Sequence, residues 1–449
     1  MTTSTKSTAV PTDLLCTGLY VVELDRPWIE TPFLFQGFRI TCDEELNALR
    51  ETCRHVYIDA RRSERESLQT LKGTAARYRA AREARSTDKT ETSRKPRIRT
   101  PSARAVEKCA GSLFADVVEP DRKRFRTLVQ AARISRHQAT TSVSAAMQAA
   151  RMGKALDLVS VRDSVERLAG LTINDPSASI WLSQLKEKSD REAGHAVNTC
   201  VLALAFGAYL GMKPKELRRL GMGALLHDIG KTRVPGRILD KPDQLTEQES
   251  DIIRRHPEAG HELLTDNGNV DREVLDMVRL HHERWRGQGY PYGMMGETIP
   301  KHALIMGLVD SYDAMTSERP YREAMTPEKA LQALYSEADQ QFTVELVQEF
   351  IRCLGIFPAG SVVELDNGAH AVVVGSKPGS GLWPTILMVR NPDGDLYRKR
   401  LLLNLAAEAK RARDGKGRHI KRAVEPSSSG IDVARIVQQE FGLEEAEAA

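Results

Sequence analysis

Histidines are concentrated in one part of this 449-residue chain, since seven of its eleven lie between His195 and His302. Two of them are adjacent and begin the segment HHERWRGQGYP, in which a histidine pair precedes a glycine-rich turn. Imidazole and carboxylate groups suit iron, manganese, zinc and similar divalent ions. The candidate metal ligands, most of them where an apolar run meets polar residues, are His195, His227, Asp228, His256, His281, His282 and Asp310.

An aspartate directly follows one of these histidines in the segment LLHDIGK. The carboxylate of Asp228 has two oxygens and can bridge two metal ions, and such a pair of ions can activate water and clamp the oxygens of a phosphate diester. Lys231 lies three residues later, so on a helix it shares the face of Asp228 and its ammonium can reach the same phosphate. The residues therefore predict a two-metal site for phosphate esters, with Asp228 and Lys231 as its catalytic residues.

Any one of these histidines alone is more often structural than a ligand, and we interpret His261 and His302 in that way. The set as a whole is different. Five histidines and two aspartates packed in one domain would each need a buried polar partner of its own. We therefore interpret the set as a metal site rather than as part of a packed core.

The elements that must position these residues are helices. From residue 178 to residue 352 the apolar residues recur with helical spacing, and no alternating strand pattern occurs. In a helical bundle, side chains from several helices project inward to a shared metal site. The sequence thus predicts an all-helical metal-binding domain over residues 178–356, preceded by a helical connector over residues 113–177.

The N-terminal part of the chain has a different pattern. Residues 1–60 predict a small α+β domain, with strands at Leu19–Asp25 and His55–Asp59 on either side of a helix from Asp43 to Cys53. Residues 61–112 are rich in lysine and arginine, which predicts a basic helix followed by a flexible linker.

The C-terminal part changes pattern again. Residues 357–405 alternate apolar and polar side chains around the turn signals Asn367-Gly368 and Asp393-Gly394, which predicts a small antiparallel β module. Residues 406–449 are charged and partly serine-rich, which predicts a largely disordered tail with a short helix at 432–441. The expected fold class is therefore mainly α, with a small α+β domain before the helical bundle and a small β module after it.

Composition restricts the class of protein further. The net charge is +4, and the six cysteines are scattered without a CxxC pair, so the sequence indicates neither binding to a nucleic acid polymer nor a disulfide framework. The most apolar helical stretch, Cys200–Gly211, is shorter than the about 20 residues that a membrane span needs. We expect a cytoplasmic protein with no membrane span.

Taken together, these motifs resemble the HD-GYP family, a branch of the HD superfamily of phosphohydrolases that acts on the bacterial second messenger cyclic di-GMP. The resemblance rests on HDIGK, HHE, GxGYP, VPGRILDKPDQLT, HPEAG and VDSYDAMTSERPYR, between Lys186 and Ile356. The N-terminal segment LDRPWIETPFLFQGFRI is similar to the uncharacterised domain that often precedes HD-GYP domains. The resemblance implies an HD-type helical bundle and hydrolysis of cyclic di-GMP to linear 5'-pGpG or further to GMP.

The resemblance also implies a role for each site residue. It assigns His195, His227, Asp228 and Asp310 to one metal ion. It assigns Asp228, His256, His281 and His282 to a second, with Asp228 bridging and with iron or manganese as the expected metals. The substrate-binding residues that it implies are Lys231, Tyr290, Arg319, Tyr321 and Arg322.

Two departures from the family pattern bear on the site. Arg286 and Gln288 stand in the turn where an acid and a small hydroxyl residue are usual, which could alter affinity or docking or could be neutral surface variation. Some members bind a third metal through a glutamate four residues before the first histidine. Here that position is Arg191, and Glu192 is rotated by about 100° on a helix. We therefore expect two metals and a pGpG product.

Other functions remain open at this level. One is a catalytically weak receptor for the nucleotide, or a scaffold for proteins with a GGDEF domain that dock on the GYP loop. Another is an HD phosphohydrolase acting on a different nucleotide. The partners expected are cyclic di-GMP and GGDEF-domain proteins, and a homodimer is left open.

Overall fold

The computed structural model describes most of the chain in segments. The described residues are 8–25, 37–41, 43–74, 115–174, 176, 179–181, 191–317, 324–375, 383–411, 417–425 and 429–441. The chain divides into two compact units, Met1–Val117 and Val118–Ala449.

The first unit contains a four-stranded antiparallel sheet with the strand order β1-β4-β2-β3. Leu19, Val21, Leu49 and Val56 are buried in its core, where alternate strand residues meet one face of a helix. The strands and helices of this unit are β1 Thr8–Pro11, β2 Tyr20–Leu24, β3 Phe38–Arg39, α1 Asp43–Thr52, β4 His55–Ile58 and α2 at residues 65–74.

The predicted strands at 19–25 and 55–59 and the helix at 43–53 are confirmed within one or two residues. Strand β1 was not predicted, because only Val10 of its four residues is buried and the segment therefore lacks an alternating pattern. Of the predicted basic helix and flexible linker at residues 61–112, residues 65–74 form helix α2, and residues 75–112 lie outside the described residues.

The second unit begins with helices, as predicted. Eleven α-helices with defined bounds lie among the described residues between Ala115 and Leu354. A short 3-10 helix, Ile229–Arg233, directly follows the HD pair. The helices are α3 Ala115–Arg151, α4 Leu158–Asn174, α5 Arg191–Tyr209, α6 Pro214–Leu226, α7 Gly236–Leu239, α8 Glu247–Arg254, α9 His256–Asn267, α10 Arg272–Leu280, α11 Lys301–Thr316, α12 Pro327–Ser336 and α13 Val344–Leu354.

Several of these helices begin at a residue that caps their free amides. Thr246 accepts a hydrogen bond from the amide of Glu249, whose side chain accepts one from the amide of Thr246 in return. Thr326 and Thr343 cap α12 and α13 in the same way with their hydroxyl groups. These caps fix the residues at which α8, α12 and α13 begin.

Helix α5 lies at the centre of the bundle. Its segment from Val197 to Phe206 is buried on all sides, and it packs against α4, α6, α11 and α13. A helix that is apolar all round belongs inside a bundle rather than on its surface. None of the helices described here has the length and apolar character that crossing a bilayer requires. Of the apolar stretch Cys200–Gly211, residues 200–207 are buried in this core, and the helix ends at Tyr209.

The β module is a five-stranded antiparallel sheet with the order β8-β7-β6-β5-β9. It is built mainly as predicted from alternating segments, and its core contains Val363, Val373 and Met388. Its elements are β5 Val362–Leu365, β6 His370–Gly375, β7 Thr385–Arg390, β8 Leu402–Asn404 and β9 Ile420–Ala423.

The expectation of a largely disordered tail from residue 406 is wrong for the described part of the tail. Strand β9 pairs with β5, and Lys421 and Arg422 both form ion pairs with Glu364 on that strand. Helices α14, Leu405–Arg411, and α15, Val433–Phe441, flank this strand, and the latter agrees with the predicted helix at 432–441. The mainly α fold class is confirmed.

Candidate metal centre

The structure brings all seven predicted metal ligands together. Two of them lie within long helices, His195 in α5 and Asp310 in α11. The others lie at or next to helix ends: His227 and Asp228 follow α6, His256 begins α9, and His281 and His282 follow α10. Among the described residues their ligand atoms form three overlapping groups, and one of these, His227, Asp228 and His281, joins the other two. The first ligand group is His195, His227 and Asp310, and the second ligand group is His256, His281 and His282.

Asp228 lies between the two groups and presents one carboxylate oxygen to each. Its Oδ2 is 3.3 Å from Nε2 of His227 and 3.9 Å from Nε2 of His195. Its Oδ1 is 3.2 Å from Nε2 of His256 and 4.0 Å from Nε2 of His281. This is the arrangement that a bridging carboxylate requires.

Backbone contacts fix the orientation of three imidazole rings. Nδ1 of His227 lies 2.8 Å from the carbonyl oxygen of Ala224, and Nδ1 of His256 lies 2.8 Å from that of Ile253. Nδ1 of His281 lies 3.0 Å from the carbonyl oxygen of Val278. Because a carbonyl only accepts hydrogen bonds, we assign the ring proton to Nδ1 in each case. All three Nε2 lone pairs are then free to bind a cation at the centre.

Two observations indicate that this centre fits a cation. Nε2 of His256 and Nε2 of His281 are 3.3 Å apart, and with both protons on Nδ1 neither nitrogen can donate to the other. In addition, the buried Nε2 of His227 and Oδ1 of Asp228 have no hydrogen-bond partner among the described residues. Buried polar atoms left without partners are costly, and a divalent ion with imidazole and carboxylate ligands would satisfy them.

The buried ligand residues have shifted pKa values, and the direction of the shift differs from one residue to another. Against the effect of burial, His227 and Lys231 hold the pKa of Asp228 well below its usual range. Burial also disfavours a charged His227, but Asp228 and Asp310 outweigh it and raise the pKa of His227 to about 10. In the second ligand group, burial and the neighbouring histidines lower the pKa of His281 and His282. Ionised carboxylates and neutral imidazoles are the forms that bind metal ions, so a bound ion would have to displace the proton that Asp228 and Asp310 favour on His227.

Asp313 was not predicted as a site residue, although it belongs to this centre. Its Oδ2 is 2.7 Å from Nδ1 of His195, while Nε2 of the same ring is 3.0 Å from Oδ1 of Asp310. A carboxylate on the outer nitrogen fixes the orientation of a ligand histidine and raises its basicity. The spacing of three residues between Asp310 and Asp313, both on one face of α11, is the sequence signal that could have found it.

Lys231 lies where the sequence predicts. It belongs to a 3-10 helix rather than an α-helix, yet its Nζ is 2.6 Å from Oδ2 of Asp228. The helix packs tightly on α9 at Gly230, where a Cβ would lie 2.0 Å from the carbonyl oxygen of His256. Glycine is therefore required at this position, and it lets the two segments that carry Asp228 and His256 approach closely.

The loop after the histidine pair folds back on the centre. The ring of Tyr290 stacks on that of His282, with centroids 4.5 Å apart, and the Tyr290 amide donates to the carbonyl oxygen of His282 over 3.2 Å. The carboxylate of Glu283, which is only 1% exposed, accepts hydrogen bonds from the amides of Tyr292 and Met294. Glu283 was not predicted to have a role.

The two unusual residues of the turn differ in their surroundings. The Arg286 guanidinium donates to the carbonyl oxygen of Asp339 over 2.9 Å and forms an ion pair with the carboxylate of the same residue, in the turn between α12 and α13. Gln288 is exposed. Arg286 is thus matched by an acid elsewhere on the surface.

Glu192, next to the position of the third-metal glutamate, forms an ion pair with Arg151 over 2.9 Å. The side chain of Arg191 lies outside the described residues. The carboxylate of Glu192 is not a member of the first ligand group.

Five further residues were singled out in the sequence. Arg319, Tyr321 and Arg322 are outside the described part of the chain. His261 and His302 are not members of the metal-binding groups found among the described residues, and His302 lies 3.7 Å from Asp276 instead.

Comparison with known proteins identifies two families in the chain. The HD domain matches residues 180–346, and a domain of unknown function, DUF3391, matches residues 7–161. Cyclic di-GMP phosphodiesterase PA4108 of Pseudomonas aeruginosa is 30% identical over 379 residues, which cover 84% of each chain.

Two further relatives match over shorter stretches. Cyclic di-GMP phosphodiesterase response regulator RpfG of Xanthomonas campestris pv. campestris is 42% identical over 144 residues, or 32% of this chain and 38% of the relative. 3'3'-cGAMP-specific phosphodiesterase 2 of Vibrio cholerae is 32% identical over 169 residues, or 37% of this chain and 32% of the relative.

Proposed function

Because the chain belongs to the HD-GYP family of cyclic di-GMP phosphodiesterases, we propose that it hydrolyses cyclic di-GMP to linear 5'-pGpG at a two-metal centre. The observation that carries the proposal is the position of Asp228, with one oxygen toward each ligand group. A single carboxylate so placed can serve two ions at once, and phosphate diester hydrolysis is a reaction that paired ions support.

The first ligand group would hold one ion and the second the other, both with Asp228. Bound divalent ions supply activation of water and neutralisation of charge on the phosphate diester. Iron and manganese are the metals we propose, because the resemblance to the HD-GYP family implies them and the ligand set of imidazole and carboxylate groups suits them. The absence of a third carboxylate ligand at residue 191 supports two ions and the linear product.

The side chains of this chain have three tasks in the reaction. The histidines and Asp313 hold the ligand atoms in place through backbone and carboxylate contacts. Lys231 places a positive charge beside Asp228, where it would contact a phosphate oxygen. Tyr290, stacked on His282, would form one wall of the nucleotide pocket, and Arg319, Tyr321 and Arg322 would bind phosphate or guanine.

The proposal also covers the cellular location and the protein partners. A cytoplasmic location follows from the substrate, which is an intracellular messenger. GGDEF-domain proteins would dock on the GYP loop, where Tyr292 and Met295 are exposed apolar residues. A homodimer is compatible with this arrangement.

Product analysis tests the proposal. Purified protein loaded with Mn²⁺, or with Fe²⁺ under anaerobic conditions, should convert cyclic di-GMP to pGpG, whereas the Asp228→Ala variant should not. The exposed Asp243→Ala variant is the matched control and should keep full activity. Accumulation of GMP would refute the linear product, and nucleotide binding without turnover in either metal would favour a receptor or scaffold.

A second substrate deserves the same assay, because one relative is named a 3'3'-cGAMP-specific phosphodiesterase. That relative is 32% identical over the matched residues, and two cyclic di-GMP phosphodiesterases are 34% and 31% identical over similar lengths. Parallel reactions with cyclic GMP-AMP compare the two, and we expect a higher kcat/KM for cyclic di-GMP. The reverse order would move the assignment to the other cyclic dinucleotide.

A further inference from the structure

Glu283 is a buried carboxylate next to the metal ligands, but its contacts are with main-chain amides. It directly follows His281 and His282, yet it belongs to neither ligand group. Its two carboxylate oxygens accept hydrogen bonds from main-chain amides nine and eleven residues later, at 2.7 Å from Tyr292 and 2.8 Å from Met294. A carboxylate that accepts two such bonds at 1% exposure is fully engaged in holding a loop.

The same loop is held at a second point close to the centre. The amide of Tyr290 donates to the carbonyl oxygen of His282, and Gly289 lies against the backbone, where a Cβ would be 2.4 Å from the nitrogen of Arg284. Glu283 therefore fixes the far end of a loop whose near end touches the histidine pair. The Tyr290 ring lies at the near end of the loop, where it stacks on His282.

We propose that Glu283 is a positioning residue, which holds the loop of residues 284–296 so that Tyr290 stays stacked on His282 and shapes the nucleotide pocket. The inference rests on the proposed function, because it concerns the pocket of that same site. Its physical basis is the direction of the bonds, because the amides of Tyr292 and Met294 each donate to a different oxygen of the carboxylate. Glutamine keeps the shape but offers one acceptor oxygen and an NH₂ group.

The test is a double-mutant cycle between Glu283→Gln and Tyr290→Ala. In the wild-type background, loss of one charge-assisted bond to the loop should lower kcat/KM for cyclic di-GMP about tenfold. In the Tyr290→Ala background the same substitution should change kcat/KM less than about twofold, because no stacked ring remains to be positioned. Glu297→Gln, at an exposed glutamate that directly follows this loop, is the matched control and should have no effect.

An equal loss in both backgrounds would overturn the proposal, since a merely structural glutamate lowers activity whatever residue stands at 290. No loss in the wild-type background would overturn it too. If Glu283→Gln fails to fold, Glu283→Asp keeps the charge and both acceptor oxygens but shortens the side chain by one methylene, so it cannot reach both amides as glutamate does. That variant should show the same dependence on Tyr290, and an equal loss with and without the tyrosine ring would again refute positioning.

Hydrogen exchange separates this inference from the proposed function, because it needs no turnover. The amides of Tyr292 and Met294 should exchange faster in Glu283→Gln than in wild type or in Glu297→Gln, as measured by mass spectrometry of peptides covering residues 286–297. If wild-type protein hydrolysed no cyclic dinucleotide but this difference appeared, the proposed function would fail while the role of Glu283 in holding the loop would stand. Unchanged exchange would refute that role.

Discussion

The two ligand groups on either side of Asp228 are built differently. The first contains the carboxylate of Asp310 and is held by long helices, with Asp313 behind one histidine. The second consists of imidazoles alone, and two of them precede an irregular loop. Since ionised carboxylates attract a cation more strongly than neutral rings do, the first group should bind its metal ion more tightly. The second should depend on the loop.

Removing the shared residue should have the largest effect on this comparison. Asp228→Ala takes a ligand from both groups and leaves Lys231 without its 2.6 Å partner. Turnover of cyclic di-GMP should fall by at least about a thousandfold, because the stabilisation that a metal centre provides amounts to several kcal/mol. Elemental analysis should find less than one ion per chain. Retention of two ions would mean that Asp228 does not bridge.

Single ligands of the two groups should separate them. In His195→Ala the ion of the first group should be lost, and in His282→Ala that of the second, with turnover falling about a hundredfold or more in each. His261→Ala is the control, because this histidine belongs to neither group. Titration with a chelator should remove the ion of the second group first in wild type. Simultaneous release of both ions at one chelator concentration would argue against the difference in affinity.

The residue behind the first group should have an intermediate effect. Asp313→Asn keeps an oxygen near Nδ1 of His195 but removes the negative charge, so metal affinity of the first group should fall about 10- to 100-fold. The exposed Asp266→Asn on α9 is the matched control. Isothermal titration with Mn²⁺ would measure both variants. An affinity equal to that of wild type would show that His195 needs no orienting carboxylate.

The turn residue Arg286 should have the smallest effect. Its ion pair with Asp339 lies half exposed at the surface, where such pairs contribute about 0–1 kcal/mol. Arg286→Ala should keep turnover within about twofold of wild type and lower the thermal midpoint only slightly. A tenfold change in KM would instead place Arg286 at the substrate.

The sequence predicted the residues that the structure brings together at the centre but not the residues behind them. Histidine and aspartate carry their chemistry in the residue type, so His227, Asp228 and Asp310 could be proposed as ligands without a structure. Asp313 and Glu283 act through the direction of a side chain. Asp313 needs the unused nitrogen of a ring from another helix, and Glu283 needs two amides brought back by a folded loop.

The fold was predictable to a similar depth. Long periodic segments such as α5 and the alternating strands β6 and β7 carry their own pattern. Strand β9 does not, because only Ile420 of its four residues is buried; it pairs antiparallel with β5, and Lys421 and Arg422 form ion pairs with Glu364 on that strand. Such a strand is ordered by its neighbour rather than by its own hydrophobic alternation.

Diffraction from crystals of the manganese-loaded protein, with anomalous scattering at the metal edge, tests the central claim most directly. The account predicts two anomalous peaks, one within the first ligand group and one within the second, each bound to a different oxygen of Asp228. A single peak, or two peaks that share only histidine ligands while Asp228 binds one ion alone, would contradict the two-metal centre on which the proposed hydrolysis of cyclic di-GMP depends.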